Sequence, residues 1–204
     1  ESQLEDSSKE QADRSKTGQE VKHASSVPGA TVDFSQLPET AVVSKKDPKG
    51  NPHPVVARIV IDKKTVTPGV PFRLGVHLTQ QKNWHTYWKS PGDIGKPTVI
   101  EWKLPDGSKA DPYVFASPHR YNVQNIISYG YDDENFLYSE ITLPKDTPEG
   151  EVDLGAYAKW LVCESQCIPG SANLSHPVKV TNASDEASSF VPLFDSYTER
   201  HPTA

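Results

Sequence analysis

From Pro54 onward, short apolar runs recur about every ten residues and are separated by proline and glycine turns. The runs lie at residues 55–61, 72–78, 97–104, 136–143, 152–162 and 174–180. Several alternate apolar with other residues, which is typical of strands buried on one face. Seven or eight short strands without a helical period predict an all-β fold, an antiparallel sandwich of the immunoglobulin type.

The first part of the chain has a different composition. Residues 1–53 contain a single aromatic residue, Phe34, and are dominated by Ser, Glu, Gln, Lys and Asp. Such a segment buries too little apolar surface to offset its ordering entropy, so we predict a disordered tail or tether. The sandwich domain is expected over 54–182 and a carboxy-terminal extension over 183–204. Two apolar islands, 30–37 and 187–197, are candidates for docking, the second as a short helix or a strap.

The charge and the hydropathy of the chain restrict the classes of partner that it can bind. The net charge is −6, with 27 acidic and 21 basic residues, and basic residues do not cluster with aromatic ones. This pattern argues against a nucleic-acid partner. No apolar run approaches the roughly 20 residues that span a bilayer, so we expect no transmembrane segment in this chain.

The chain has two cysteines, Cys163 and Cys167. A disulfide closing so short a loop stabilises a fold by roughly 2 kcal/mol, a small gain that favours a chemical role. A redox pair, a modest structural bridge, a two-thiolate metal clip and two unrelated buried thiols all fit the spacing. Glu164 follows Cys163 directly, and a strand offers no helix dipole, so we expect ordinary thiol pKa values and reactivity conferred by a docked partner.

The most aromatic segment of the chain lies upstream of the two cysteines. Residues 84–88 contain two Trp, a Tyr and a His within five positions. These side chains could pack in the core. They fit equally well a second arrangement, in which they cover a disulfide and shield it from stray thiols.

Four motifs in order carry a resemblance to a known family. They are Trp-His-Thr-Tyr-Trp-Lys-Ser-Pro-Gly-Asp at 84–93, Pro-Thr-Val-Ile-Glu-Trp at 97–102, Tyr-Gly-Tyr at 129–131 and Trp-Leu-Val-Cys-Glu-Ser-Gln-Cys-Ile-Pro at 160–169. Together they resemble the periplasmic amino-terminal domain of the DsbD and ScsB thiol:disulfide reductases, over residues 55–181.

The resemblance implies an immunoglobulin-like sandwich whose two cysteines shuttle between dithiol and disulfide. It implies no cofactor beyond this redox-active disulfide. Electrons would come from the thioredoxin-like domain of a membrane reductase and pass to periplasmic disulfide proteins. The expected location is the periplasm, free or tethered to the membrane, as an excised domain of a longer reductase or as a separate protein.

The resemblance also assigns roles to individual residues. Cys167 would form the mixed disulfide with partners and Cys163 would resolve it. His85 and Tyr87 fall where the best-studied branch has tyrosines near the active site. A cap loop at 125–131 would cover the cysteines, with Tyr129 as its aromatic residue.

This sequence departs from the family at two points. The best-studied branch has a longer spacing between its cysteines, and its shielding phenylalanine before the Tyr-Gly pair is Ser128 in this chain. Ile126, Ile127 and Tyr129 are the candidate substitutes for that phenylalanine.

Two other functions remain open at this point. Cys163 and Cys167 suit Cu(I), with His85, His119 or His176 as a third ligand, so a copper-handling domain is the main alternative. An adhesion-type sandwich with an inert disulfide is the other.

Overall fold

A computed structural model describes residues 32–47 and 49–200 of the 204-residue chain. A 3-10 turn, Glu39–Ala41, comes first and a helix, α1 (Val191–Glu199), comes last. Between them, in chain order, lie β1 (Val42–Lys46), β2 (Pro52–Ile61), β3 (Thr65–Val66), β4 (Phe72–Gln80), β5 (His85–Gly92), β6 (Val99–Lys103), β7 (Lys109–Ala110), β8 (His119–Val123), β9 (Ile126–Asp132), β10 (Glu134–Thr142), β11 (Gly150–Cys163) and β12 (Cys167–Val180).

The strands form two packed sheets. One has the order β1-β2-β4-β10-β7, and the other β3-β12-β11-β5-β9-β8, with β6 also paired to β11. All pairings are antiparallel except the short one between β3 and β12. The predicted all-β, antiparallel sandwich is therefore confirmed.

The main core lies between the two sheets. In β2, alternate residues such as Val55, Ala57 and Ile59 point inward, where they meet β11 residues such as Leu154 and Ala156. The sequence alternation works because successive side chains of a strand point to opposite faces. Burial of these faces supplies the main driving force for closing the sandwich.

The first sheet is also covered on its outer face. A second cluster there contains Val60 of β2, Phe136 and Tyr138 of β10, and Phe194 and Tyr197 of α1. Buried on both faces, β4 and β10 read as nearly continuous buried runs rather than alternating ones.

The fold extends beyond the predicted boundaries of 54 and 182. Residues 32–47 of the predicted tail include β1, which pairs with β2, and Val32, which is buried. The predicted extension contains α1, whose Leu193 and Phe194 are fully buried. Few apolar residues suffice at both ends because the sandwich already provides the surface on which they dock. The rest of the predicted tail, 1–31, lies outside the described residues.

Over the described ranges, no helix has the length and apolar character needed to cross a membrane.

The longest pairing of strands is the β11–β12 hairpin, in which fourteen residue pairs run from Gly150↔Val180 to Cys163↔Cys167. The two cysteines therefore close one end of the most extended hairpin of the domain.

Candidate active site

Cys163 and Cys167 are bonded to each other at the end of the β11–β12 hairpin. The S–S distance is 2.08 Å and the two Cα atoms are 4.1 Å apart. Three residues, 164–166, form the turn, in which the Glu164 amide donates a hydrogen bond to the Gln166 carbonyl at 3.0 Å. The last pair of the ladder thus holds both sulfurs at the sheet end, where loops usually display functional groups.

The two cysteines differ in exposure. Cys163 is 3% exposed, whereas Cys167 and the three turn residues are exposed. Burial leaves Cys163 unavailable to an incoming protein, while Cys167 faces solvent.

The carboxylate of Glu164 is turned into the hairpin loop. It accepts hydrogen bonds from the Ser165 amide at 2.8 Å and from the Ser165 hydroxyl at 2.7 Å. These bonds, the backbone one above all, lower the pKa of Glu164. Glu164 is therefore an exposed anion in the turn between the cysteines.

Three ionisable residues from adjacent strands lie in one row across the sheet. Cys163 of β11 is paired with His85 of β5, and His85 is paired with Asp132 of β9. Side chains directly opposite each other in antiparallel strands lie on the same face with Cβ atoms about 4.5–5.5 Å apart. His85 is thus the immediate cross-strand neighbour of the buried cysteine.

An aromatic cluster surrounds His85 on this face. Its Nε2 atom lies 3.2 Å from the Tyr87 hydroxyl, and its ring is stacked on Tyr121 at a centroid distance of 5.2 Å. Burial lowers the pKa of His85, and Asp132 partly opposes this effect. Burial also raises the pKa values of Tyr87 and Tyr121, so both phenols stay protonated at neutral pH.

Two glycines make the close packing around Tyr87 possible. A side-chain carbon on Gly95, which has φ of +105°, would collide with the Tyr87 ring. Gly130 of β9 lies opposite Tyr87 and has no space for a side chain against the Thr86 carbonyl oxygen.

The predicted cap loop at 125–131 is instead the second strand of a hairpin. β8 and β9 are joined by Gln124 and Asn125, whose φ angles of 52° and 67° form the tight turn between paired Val123 and Ile126. Left-handed conformations at both turn positions match the twist of the flanking strands.

The hairpin separates the residues predicted for the cap. Ile126 lies at the tip and is 44% exposed, beside Val123 at 67%. The Tyr129 ring packs against Trp88 at a centroid distance of 6.3 Å, on the face of β9 opposite to Asp132. Ile127 shares that face, and its amide donates a hydrogen bond to Asp93 at 2.8 Å. The structure therefore brings His85 and Tyr87 together with the cysteines, but not Tyr129 or Ile127.

Of the three histidines suggested as copper ligands, His85 is the one paired with a cysteine. His176 lies nine residues beyond Cys167 on the same strand, about 30 Å away at the usual rise of a strand. His119 is directed to Asp132, with Nδ1 3.3 Å from Oδ2. Across residues 32–47 and 49–200, no three His, Cys, Asp or Glu side chains form a group suited to a metal ion.

Sequence reasoning missed Tyr121 and Asp132. Tyr121 stands in a short polar run, 119–123, that gives little indication of a strand. The Gln124-Asn125 pair after it was the available signal, because Asn is favoured where a turn needs positive φ.

Comparison with known proteins agrees with the fold and the cysteine pair. Residues 55–179 match the family model described as thiol:disulfide interchange protein DsbD, N-terminal. A search of curated protein sequences gave no significant match.

Two solved structures of N-terminal domains align with this chain. The N-terminal periplasmic domain of ScsB from Proteus mirabilis aligns with a TM-score of 0.58 and 18% identity, covering 81% of this chain and 60% of that one. The N-terminal domain of DsbD from Neisseria meningitidis, in its reduced form, aligns with a TM-score of 0.33 and 11% identity, covering 74% of this chain and 94% of that one. The first likeness establishes a shared fold.

The family model covers more than half of the chain, includes both cysteines and agrees with the predicted range of the resemblance. Its general activity, thiol-disulfide interchange, is one that a solvent-facing disulfide at a sheet end can perform. The chain belongs to the family of the N-terminal domain of the thiol:disulfide interchange protein DsbD.

Proposed function

We propose that this domain relays electrons in the periplasm by reversible exchange of the Cys163–Cys167 disulfide. Electrons arrive from the thioredoxin-like domain of a membrane reductase and leave to periplasmic disulfide proteins. The observation that carries the proposal is the exposure difference within one disulfide, with Cys167 open to solvent and Cys163 buried.

In the first half-reaction a thiolate of the reduced donor attacks Sγ of Cys167. The Cys163–Cys167 bond breaks, and its electron pair leaves on Sγ of Cys163. The donor's second thiolate then attacks the donor sulfur of the mixed disulfide, which releases Cys167 as a thiolate. Two electrons have moved, the donor is now a disulfide and this domain is a dithiol.

In the second half-reaction the Cys167 thiolate attacks the disulfide of an acceptor protein. Cys163 then attacks Sγ of Cys167, restores the internal disulfide and releases the acceptor as a dithiol. Burial suits Cys163 to this resolving role, because an internal attack needs no access from solvent.

The surroundings of Cys167 support recognition by a protein rather than by a small substrate. The turn residues 164–166 are exposed, so a partner has room to approach the sulfur. The aromatic cluster of His85, Tyr87 and Tyr121 covers the side of Cys163 and not that of Cys167.

Trapping tests the proposal directly. A Cys163→Ala variant keeps the exposed thiol but lacks the resolving one. It should therefore accumulate a mixed disulfide with a thioredoxin-like domain that lacks its own second cysteine and carries the remaining one as a mixed disulfide with thionitrobenzoate, the leaving group. Non-reducing gels and mass spectrometry of the adduct measure the yield and identify the sulfur. The Cys167→Ala variant is the matched control, and its buried Cys163 should form at least about tenfold less adduct.

Two results would overturn the proposal. Equal yields of mixed disulfide from both variants would show that the two cysteines do not have different roles. A wild-type reduction potential below about −300 mV would place the disulfide among inert structural bridges.

A further inference from the structure

The row of Asp132, His85 and Cys163 across three strands places an acid-base group next to one sulfur of the disulfide. His85 is paired with Cys163, the sulfur that leaves when Cys167 is attacked. Cys167 stands on the far side of β11 from β5, since β12 is the other neighbour of β11. Any chemical effect of His85 on the disulfide therefore falls on Cys163.

The ring of His85 is held in a defined position. The Tyr87 hydroxyl, 3.2 Å away, engages Nε2, and Tyr121 stacks on the ring face with an interplanar angle of 29°. With Nε2 in contact with Tyr87, Nδ1 is the ring atom that remains for proton exchange with the sulfur.

The charged and titratable neighbours of His85 come from four strands. They are Cys163 on β11, Asp132 on β9, Tyr121 on β8 and Tyr87 on β5 itself. The Asp132 carboxylate also acts on His119 and Tyr121 of β8, and Asp133 acts on Tyr121 to a smaller extent. The tyrosines are uncharged near neutral pH, so Asp132 is the anion that acts on the His85 ring.

We propose that His85 is the proton donor and acceptor for Cys163 in the exchange reaction, with Asp132, its partner on β9, as the charge that acts on its ring. This inference rests on the function proposed above and adds a chemical role to it. When a donor thiolate attacks Cys167, the S–S bond breaks and protonated His85 transfers its proton to the departing Cys163 sulfur. His85 is left neutral, and the domain holds a Cys163 thiol.

The reverse step uses the same groups. Once Cys167 is joined to an acceptor, neutral His85 removes the proton from the Cys163 thiol. The thiolate so formed attacks Sγ of Cys167, and the acceptor leaves as a thiolate. One proton thus returns to His85, as microscopic reversibility requires for a group that acts as acid in one direction and base in the other.

The pH dependence has a definite sign. Burial lowers the pKa of His85 below its usual value, and the Asp132 carboxylate raises it part of the way back. The donating form of His85 is therefore present at acidic pH and is lost as pH rises through this lowered pKa. When the rate of reduction is divided by the thiolate concentration of the attacking reagent, the resulting constant should fall over the same pH interval.

The test is reduction of the oxidised chain by glutathione, followed by acid quenching and mass spectrometry between about pH 5 and about pH 8, the interval in which histidine titrates. Each rate constant is divided by the glutathione thiolate concentration at that pH. The wild type should lose about tenfold in this normalised constant as pH rises, a size set by the dependence of exchange rates on the leaving thiol. His85→Gln should start low and show no pH dependence.

Two further variants separate this role from a merely structural one. Asp132→Asn should keep the fall in rate but move its midpoint to lower pH, because the anion that raises the pKa of His85 is gone. His176→Gln alters a histidine remote from the disulfide and should reproduce the wild-type profile.

A wild-type profile in His85→Gln would overturn the inference while leaving the proposed relay in place. A wild type that glutathione fails to reduce at any pH would instead overturn both. If the pH midpoint of the Asp132→Asn profile moves upward or stays fixed, Asp132 has no part in the mechanism.

Discussion

At the scale of single residues, Gly130 of β9 lies close against the backbone of β5. A methyl group at this position would collide with the carbonyl oxygen of Thr86, a backbone atom that has little freedom to move within the sheet. We therefore expect Gly130→Ala to lower the free energy of unfolding by about 1–3 kcal/mol. Urea unfolding monitored by tryptophan fluorescence measures the change.

Gly155→Ala is the comparison variant for this prediction. Its added carbon would lie 3.1 Å from the Lys103 Cβ and 3.2 Å from the Leu174 carbonyl oxygen, contacts that need only a small adjustment. We expect a smaller loss than for Gly130→Ala. If Gly130→Ala has the same unfolding midpoint as the wild type, β5 and β9 can move apart to admit the methyl group without a loss of stability.

The residue identities at the site divide into those that sequence could supply and those that it could not. Cys163, Cys167, His85 and Tyr87 were predicted because they stand in motifs that resemble a family. The difference in exposure between the cysteines arises from the neighbouring strands, because β5 adjoins Cys163 whereas β3 adjoins β12 only at Lys179 and Val180. The spacing of the cysteines does not predict this arrangement. Asp132 was missed because its nearness to His85 arises from the register between β5 and β9.

At the scale of elements, residues 32–36 form a strap on the outer face of the first sheet, where Val32 and Phe34 join the second cluster. Within this strap the ring of Phe34 is stacked on His77 at a centroid distance of 4.9 Å and on Phe190 at 5.7 Å. The Arg58 guanidinium lies 4.8 Å from the same ring centroid. Phe34 thus joins the amino-terminal strap to the sheet and to the segment that leads into α1.

This packing predicts that Phe34→Ala lowers the free energy of unfolding by about 1–2 kcal/mol, the value for a partly buried aromatic side chain. Thermal unfolding measures the effect, and faster proteolysis near residue 34 should accompany it. The neighbouring exposed Gln36 provides the control, because Gln36→Ala should change stability by less than about 0.5 kcal/mol. Equal stability of the two variants would mean that the strap contributes nothing to the fold.

The strands predicted from sequence were those with long apolar runs, such as β2, β4 and β11. β5 was read only as an aromatic segment because lysine, serine, proline and glycine interrupt its apolar residues. β9 was assigned to a cap loop on the resemblance to the family, and β8 was not predicted because its residues, 119–123, are mostly polar. The strap was assigned to the tail because docking on a finished sandwich needs only a few apolar residues, too few to change the average composition.

At the scale of the whole molecule, the position of the disulfide at the end of a long hairpin allows one fold to hold both the oxidised and the reduced cysteines. Cys163 and Cys167 are the last of fourteen pairs in the β11–β12 ladder, so the chain already brings them together without the covalent bond. Leu154, Ala156 and Ala158 of β11 belong to the core between the sheets and lie away from the sulfurs along the strand. The disulfide itself therefore lies outside the hydrophobic core between the sheets, although its neighbours Val162 and Ile168 belong to that core.

We accordingly predict that reduction leaves the domain folded and lowers its free energy of unfolding by roughly 2 kcal/mol, the entropy value for so short a loop. Thermal unfolding with and without excess dithiothreitol, and near-ultraviolet circular dichroism at room temperature, measure the two parts of this prediction. A Cys163→Ala/Cys167→Ala double variant should match the reduced wild type, since it lacks the same bond. Loss of the near-ultraviolet signal on reduction would contradict the prediction, because a relay that unfolds in each cycle would have to refold before every transfer.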